Sequence, residues 1–106
     1  MATWNLKNSL EVLVSALCLD YARRAKAIEE RMVTKRTDTE FRYYNFKIYD
    51  AAAEIVGERF AEIYIYEIGM RIGYAKTEIS CISESAYKNY KKLIKENIAK
   101  KLHLCD

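Results

Sequence analysis

Proline is absent from this chain, glycine occurs three times and histidine once. Few β-turns can be built without those residues, while Ala, Leu, Glu, Lys and Arg are plentiful. This balance predicts an all-α fold. The one histidine, His103, lies close to the C-terminus and is expected on the surface. No Cys/His spacing suits zinc, and no glycine-rich loop is present that could cradle a nucleotide phosphate. The three cysteines (Cys18, Cys81 and Cys105) are an odd number without metal-like spacing. They read as reduced thiols of a cytoplasmic protein, with Cys18 and Cys81 as small core hydrophobes. No run approaches the roughly 18 uncharged apolar residues of a membrane span. Met1-Ala2-Thr3-Trp4-Asn5 lacks a basic region followed by an apolar block, so no signal peptide is expected. Catalytic, cofactor-binding and metal-binding residues are all expected to be lacking.

What is present suits one domain spanning residues 1–106. Apolar residues make up 51% and charged residues 31%, which is too apolar for disorder. The formal charge of +3 is unevenly placed. Eleven basic and eleven acidic residues cancel within residues 1–74, whereas residues 75–106 hold seven lysines against four acids. A second surplus, eight basic against four acidic, spans Tyr21 to Lys47. Such runs are most often solvated helix faces. Segregated positive charge is also what a phosphate backbone selects.

Thr3 or Asn5 is placed to cap a long first helix reaching about Met32. Its apolar stripe is Leu6, Leu10, Leu13, Leu17, Tyr21, Ala25, Ile28 and Met32, widened by Val14, Cys18 and Leu19. The charges of Arg23, Arg24 and Lys26 are expected in solvent. Val33-Thr34-Lys35-Arg36 reads as a break, and Thr37-Asp38-Thr39-Glu40 as the capping box of a second helix. That helix carries Phe41, Tyr44, Ile48, Ala51, Ala52 and Ile55 inward and closes at Gly57. These two helices fill residues 1–57. A third begins near Glu58.

Residues 58–106 have the spacing of a helix-turn-helix followed by a basic helix. Gly69 interrupts an apolar-periodic segment, where it costs about 1 kcal/mol relative to Ala, so something is expected to approach its backbone closely. Gly73 is placed to end the segment in the left-handed conformation. Ile79 and Ile82 open a new stripe, with Ile68, Ile72 and Tyr74 completing an inner face. The recognition helix would end near Ile82. The other reading of this spacing is one packing glycine plus one C-cap. Ser80, Ser83 and Ser85 are candidate N-caps before a last helix from Glu84 to about Leu102. Its stripe is Tyr87, Tyr90, Ile94, Ile98 and Leu102, with Asn97 beside it expected to hydrogen-bond a neighbouring segment. The architecture expected is a small bundle of four or five helices.

Tyr44, Tyr64, Tyr87 and Tyr90 lie on apolar stripes and read as core; Tyr43, Tyr49 and Tyr66 fall off them and are interface candidates. Glu54, Glu58 and Glu62 stack at four-residue spacing as a solvated acidic face, without the histidines a helical di-iron centre uses.

Ile72-Gly73-Tyr74-Ala75-Lys76-Thr77-Glu78-Ile79-Ser80, then Ala86-Tyr87-Lys88-Asn89-Tyr90-Lys91-Lys92-Leu93 and Ile98-Ala99-Lys100-Lys101-Leu102, resemble the C-terminal region of phage late-transcription regulators of the ArpU/RinA type. Those are similar to the fourth region of bacterial sigma factors. The resemblance covers roughly a third of the chain. It implies that Lys76, Thr77 and Ser80 face the major groove and that Lys88, Lys91 and Lys92 meet phosphates. The expectation is a phage or prophage transcription regulator that binds double-stranded DNA as a homodimer. The long first helix or the off-stripe tyrosines would supply self-association. The alternative is a helical protein-interaction module, such as a phage-encoded inhibitor or adaptor of a host protein, that uses Tyr43, Tyr49 and Tyr66 and binds no nucleic acid.

Overall fold

A computed structural model describes residues 8–104, so the expectations for Thr3, Asn5, Leu6 and Cys105 lie outside the described residues. The described part is all-α. Its helices are α1 (Asn8–Leu19), α2 (Tyr21–Glu29), α3 (Lys35–Val56), α4 (Glu58–Gly69) and α5 (Glu84–Lys101), with a 3-10 turn over Tyr74–Lys76. The longest, α3, is the central beam and packs against α2, α4 and α5, while α1 lies on α4 and α5. Ile48, Ala51, Ala52, Ala61, Ile65, Ile94, Ile98 and Ala99 are almost wholly buried where these helices meet. The alanines let the helix axes come close, and each buried isoleucine stabilises the fold by roughly 1.5–3 kcal/mol.

The predicted long first helix is broken into two. Asp20 sits between α1 and α2, and the guanidinium of Arg24 donates to the Leu17 carbonyl at 2.6 Å. That carbonyl is the acceptor the Tyr21 amide would use in a continuous helix. Arg24 is therefore buried rather than solvated, and its Nε donates to Asn45 Oδ1 at 2.7 Å. Asn45 Nδ2 donates in turn to the Tyr21 carbonyl at 3.1 Å. This exchange clips α2 against α3. The inward side of α1 is Val14, Ser15 and Cys18, whereas Leu13 and, beyond α2, Met32 are exposed.

The second helix starts earlier than its capping box suggested. Thr34 is the N-cap, its Oγ1 accepting from the Thr37 amide at 3.2 Å, so Thr37 lies within the first turn. Gly57 joins α3 to α4 at φ 85°, a conformation that favours glycine. Ser83 caps α5 as expected, accepting from the Ala86 amide at 3.2 Å. Asn97 donates to the Ala51 carbonyl at 3.1 Å and to Glu54 at 3.0 Å, tying α5 to α3.

Residues 70–83 carry no α-helix, so the second helix of a helix-turn-helix, expected over Lys76 to Ile82, is not formed. Gly73 has φ −91° and ends nothing in the left-handed region. Arg71, at φ 57°, does so instead, with the Ile72 amide donating to the Glu67 carbonyl at 2.9 Å. Cys81 is exposed rather than core, also with positive φ. Tyr44 and Tyr90 are exposed at 38% and 37%, while Tyr64 and Tyr87 are core.

Candidate interaction surface

A buried carboxylate shapes the 70–83 connection. Glu67, on the inner side of α4 between Tyr64 and Ile68, is 1% exposed. It accepts from Thr77 Oγ1 at 2.6 Å, from the Glu78 amide at 2.9 Å and from Tyr87 Oη at 2.6 Å. Thr77 Oγ1 accepts from the Ile79 amide at 3.1 Å. The amides of Glu78 and Ile79, which in a helix beginning near Lys76 would be first-turn donors without an intrahelical acceptor, are taken up here by Glu67 and Thr77. These bonds tie the connection to α4 and α5, and those made to the carboxylate are charge-assisted, the stronger kind. Farther out, Tyr74 Oη donates to the Ile82 carbonyl at 2.7 Å, and Lys91 Nζ donates to the Ile72 carbonyl at 2.7 Å. Among the described residues, no buried side-chain nitrogen or oxygen lacks a partner.

Burial and the hydrogen bond to Glu67 together push the Tyr87 hydroxyl up to about 12. Burial, then the neighbouring Lys95, lowers Lys91 from its ordinary value. The ammonium of Lys91 lies 5.0 Å from the centre of the Tyr87 ring. Lys91 thus supplies positive charge close to the Glu67 network.

Of the six residues expected to meet DNA, two are half-buried and four are exposed. Thr77 is half-buried under Glu67, and Lys91 is half-buried against Ile72 and Tyr87. Lys88 is exposed and pairs with Glu84 at 2.8 Å one turn away. Lys76, Ser80 and Lys92 are exposed, Lys76 at the end of the 3-10 turn and Lys92 on the open side of α5.

Pinned in this way, the connection stands away from the α3–α4 junction and leaves a groove of about 610 Å³. One wall is Ile55, Val56, Phe60 and Tyr64; the other is Ile79, Ile82, Ala86 and Tyr90, with Ser80, Cys81 and Ser83 along the connection. Tyr64 meets Tyr90 edge-on across its floor at 6.3 Å between ring centres. Phe60 and Tyr90 are exposed at 36% and 37%, so large apolar surface faces the opening. The arrangement offers an apolar slot edged by hydroxyls and one thiol. Among the described residues, no group of three His, Cys, Asp or Glu side chains is placed to hold a metal ion. No helix there is long and apolar enough to cross a membrane.

Sequence reasoning missed Glu67, although a signal was present. It occupies an apolar slot of the α4 stripe, three residues after Tyr64 and one before Ile68. Comparison with known protein families, with curated proteins and with solved structures finds no match for this chain.

Proposed function

We propose that this chain is a small helical protein-interaction module that takes apolar side chains of a partner protein into the groove beside α4 and α5. One observation carries the reading. A buried, fully hydrogen-bonded carboxylate holds the 70–83 connection in a shape that keeps an apolar slot open to solvent. Contiguous exposed apolar surface of this kind marks binding sites in soluble proteins. Phe60 and Tyr90 are the anchoring side chains, and an aromatic or branched aliphatic residue of the partner fills the space between them. The reading places the protein in the cytoplasm, where the exposed Cys81 stays a thiol. In this role it acts as an adaptor or inhibitor and catalyses nothing.

The test uses Cys81, which lines the groove. A photo-crosslinker attached there is expected to trap one defined protein from cell lysate. Phe60→Asp and Ile82→Asp should abolish the adduct, and Lys88→Glu with Lys92→Glu should leave it. An adduct indifferent to Phe60→Asp removes the groove from the reading.

A second reading, binding of double-stranded DNA in phage transcription, is favoured by the exposed Lys76, Lys88 and Lys92 and by the lysine surplus of residues 75–106. Retention on duplex DNA that weakens steeply with salt and is lost in the triple change of Lys76, Lys88 and Lys92 to Glu supports it. No retention at low salt ends it.

A further inference from the structure

The outward side of α3 carries an ordered pattern that the core does not use. Asn45, Ile48, Ala51 and Ala52 face inward. Turned away from these, at three- and four-residue spacing, stand Arg36, Tyr43, Phe46, Asp50 and Glu54, with Glu40 and Lys47 along the flank next to Ala51. Phe46 is 64% exposed and Tyr43 45% exposed, although both are large and apolar. Lys47 Nζ lies 5.7 Å from the Tyr43 ring centre, at the edge of this aromatic pair. Asp50 and Glu54 share Lys101, at 2.9 and 2.7 Å, and keep side chains 40% and 50% exposed. Along the face the order is positive, negative, two aromatics, positive, then two carboxylates around one lysine.

That order complements itself only when reversed. We propose that α3 pairs with α3 of a second copy of this chain, antiparallel, about a two-fold axis between Tyr43 and Phe46. In this register Tyr43 packs on the partner's Phe46 and Phe46 on the partner's Tyr43. Glu40 comes level with the partner's Tyr49, about 3 Å along the axis from the partner's Lys47 and within reach of its long side chain, and Arg36 comes level with the partner's Ala53, next to the partner's Glu54. Each opposite-charge pair occurs twice, as a two-fold interface requires. Parallel pairing sets Arg36 against Arg36 and Glu40 against Glu40, which repel. The pattern therefore selects the direction of pairing as well as the partner. It stands apart from the groove reading.

The full chain is examined by sedimentation equilibrium over a wide concentration range, with circular dichroism to check that each variant keeps its helix content. The wild-type chain is expected to dimerise reversibly and Phe46→Asp to be monomeric. Glu40→Lys and Lys47→Glu should each weaken the dimer by roughly tenfold, since each turns two attractions into two repulsions. The combined Glu40→Lys, Lys47→Glu variant should return to within about threefold of wild type, by the same pairing logic. A chain monomeric at every concentration overturns the proposal, as does a dimer indifferent to Phe46→Asp. A dimer that Phe46→Asp dissociates but the double charge reversal fails to restore overturns the antiparallel register.

Discussion

Gly69 presses directly on the backbone of Leu19: a Cβ built on Gly69 would lie 2.6 Å from the Leu19 amide nitrogen and 2.7 Å from its Cα. The close approach expected at this glycine is therefore made by α1, at the end next to the Asp20 break. It is helix-to-helix packing, with both sides of the contact fixed by backbone.

Gly69→Ala is the first prediction. Helix propensity alone predicts a gain of about 1 kcal/mol. The overlap is with backbone atoms, which cannot swing aside, so overpacking dominates and typically costs about 1–3 kcal/mol. Urea unfolding should show a net loss of about 2 kcal/mol. A stabilised Gly69→Ala protein means that α1 does not sit where this contact puts it.

Removal of the Glu67 carboxylate leaves Thr77 and the Glu78 amide without their acceptor and Tyr87 Oη with only the Ile72 carbonyl, at 3.1 Å. Glu67→Ala is expected to destabilise by about 3 kcal/mol or more, and Glu67→Gln, which keeps one acceptor oxygen, by less. Hydrogen exchange should report the location, with amides of residues 77–82 exchanging faster and those of α2 unchanged. Unaltered protection at Glu78 and Ile79 means another group holds the connection.

Much of the helical plan was legible because its signals are local. Gly57, Ser83 and the Glu84–Leu102 stripe each follow from residues within a turn or two, and Asn97 stands out locally as an amide beside that stripe. The groove was not legible, because the interactions that make it join residues far apart. Glu67 binds Thr77 ten residues away and Tyr87 twenty away, and nothing in a 3.6-residue period says that a carboxylate in an apolar slot will find such donors. The same holds for Arg24, whose burial depends on Asn45 arriving from another helix. The spacing of Gly69 and Gly73 matched a helix-turn-helix, but the order of glycines does not record which helix the first one touches.

Alkaline pH should weaken the fold, with the sign set by the phenols. Burial and then Glu67 raise Tyr87 from the ordinary 10.0 to about 12. Burial and then Glu62 raise Tyr21, and burial raises Tyr64. Their neutral forms are favoured in the folded chain, so this stabilisation is fully present below pH 10 and falls as pH rises towards 12. Urea midpoints at pH 7, 8.5 and 11.5 should be level between the first two and drop at the third. Tyr87→Phe is less stable at pH 8.5 but should show a shallower drop; an equal drop assigns the pH dependence to other groups.

The last prediction concerns helix ends that lack the usual residue. α2, α4 and α5 each close with one left-handed residue, Arg31 at φ 56°, Arg71 at φ 57° and His103 at φ 58°. Behind each, the next amide reaches back five residues: Met32 to the Ala27 carbonyl at 3.0 Å, Ile72 to Glu67 at 2.9 Å, and Leu104 to Ala99 at 2.8 Å. Glycine is the residue that adopts this conformation without steric cost, whereas an L side chain there costs roughly 1–2 kcal/mol. Part of that gain is lost to the freer unfolded chain. Arg31→Gly and Arg71→Gly should therefore each stabilise by about 0.5–1 kcal/mol, raising the melting temperature by roughly 2–8 °C. Lys92→Gly, in the exposed interior of α5, should do the reverse by about 1 kcal/mol. Opposite signs for the same chemical change locate the helix ends in solution, and a loss at both arginines would mean that α2 and α4 do not end in these turns.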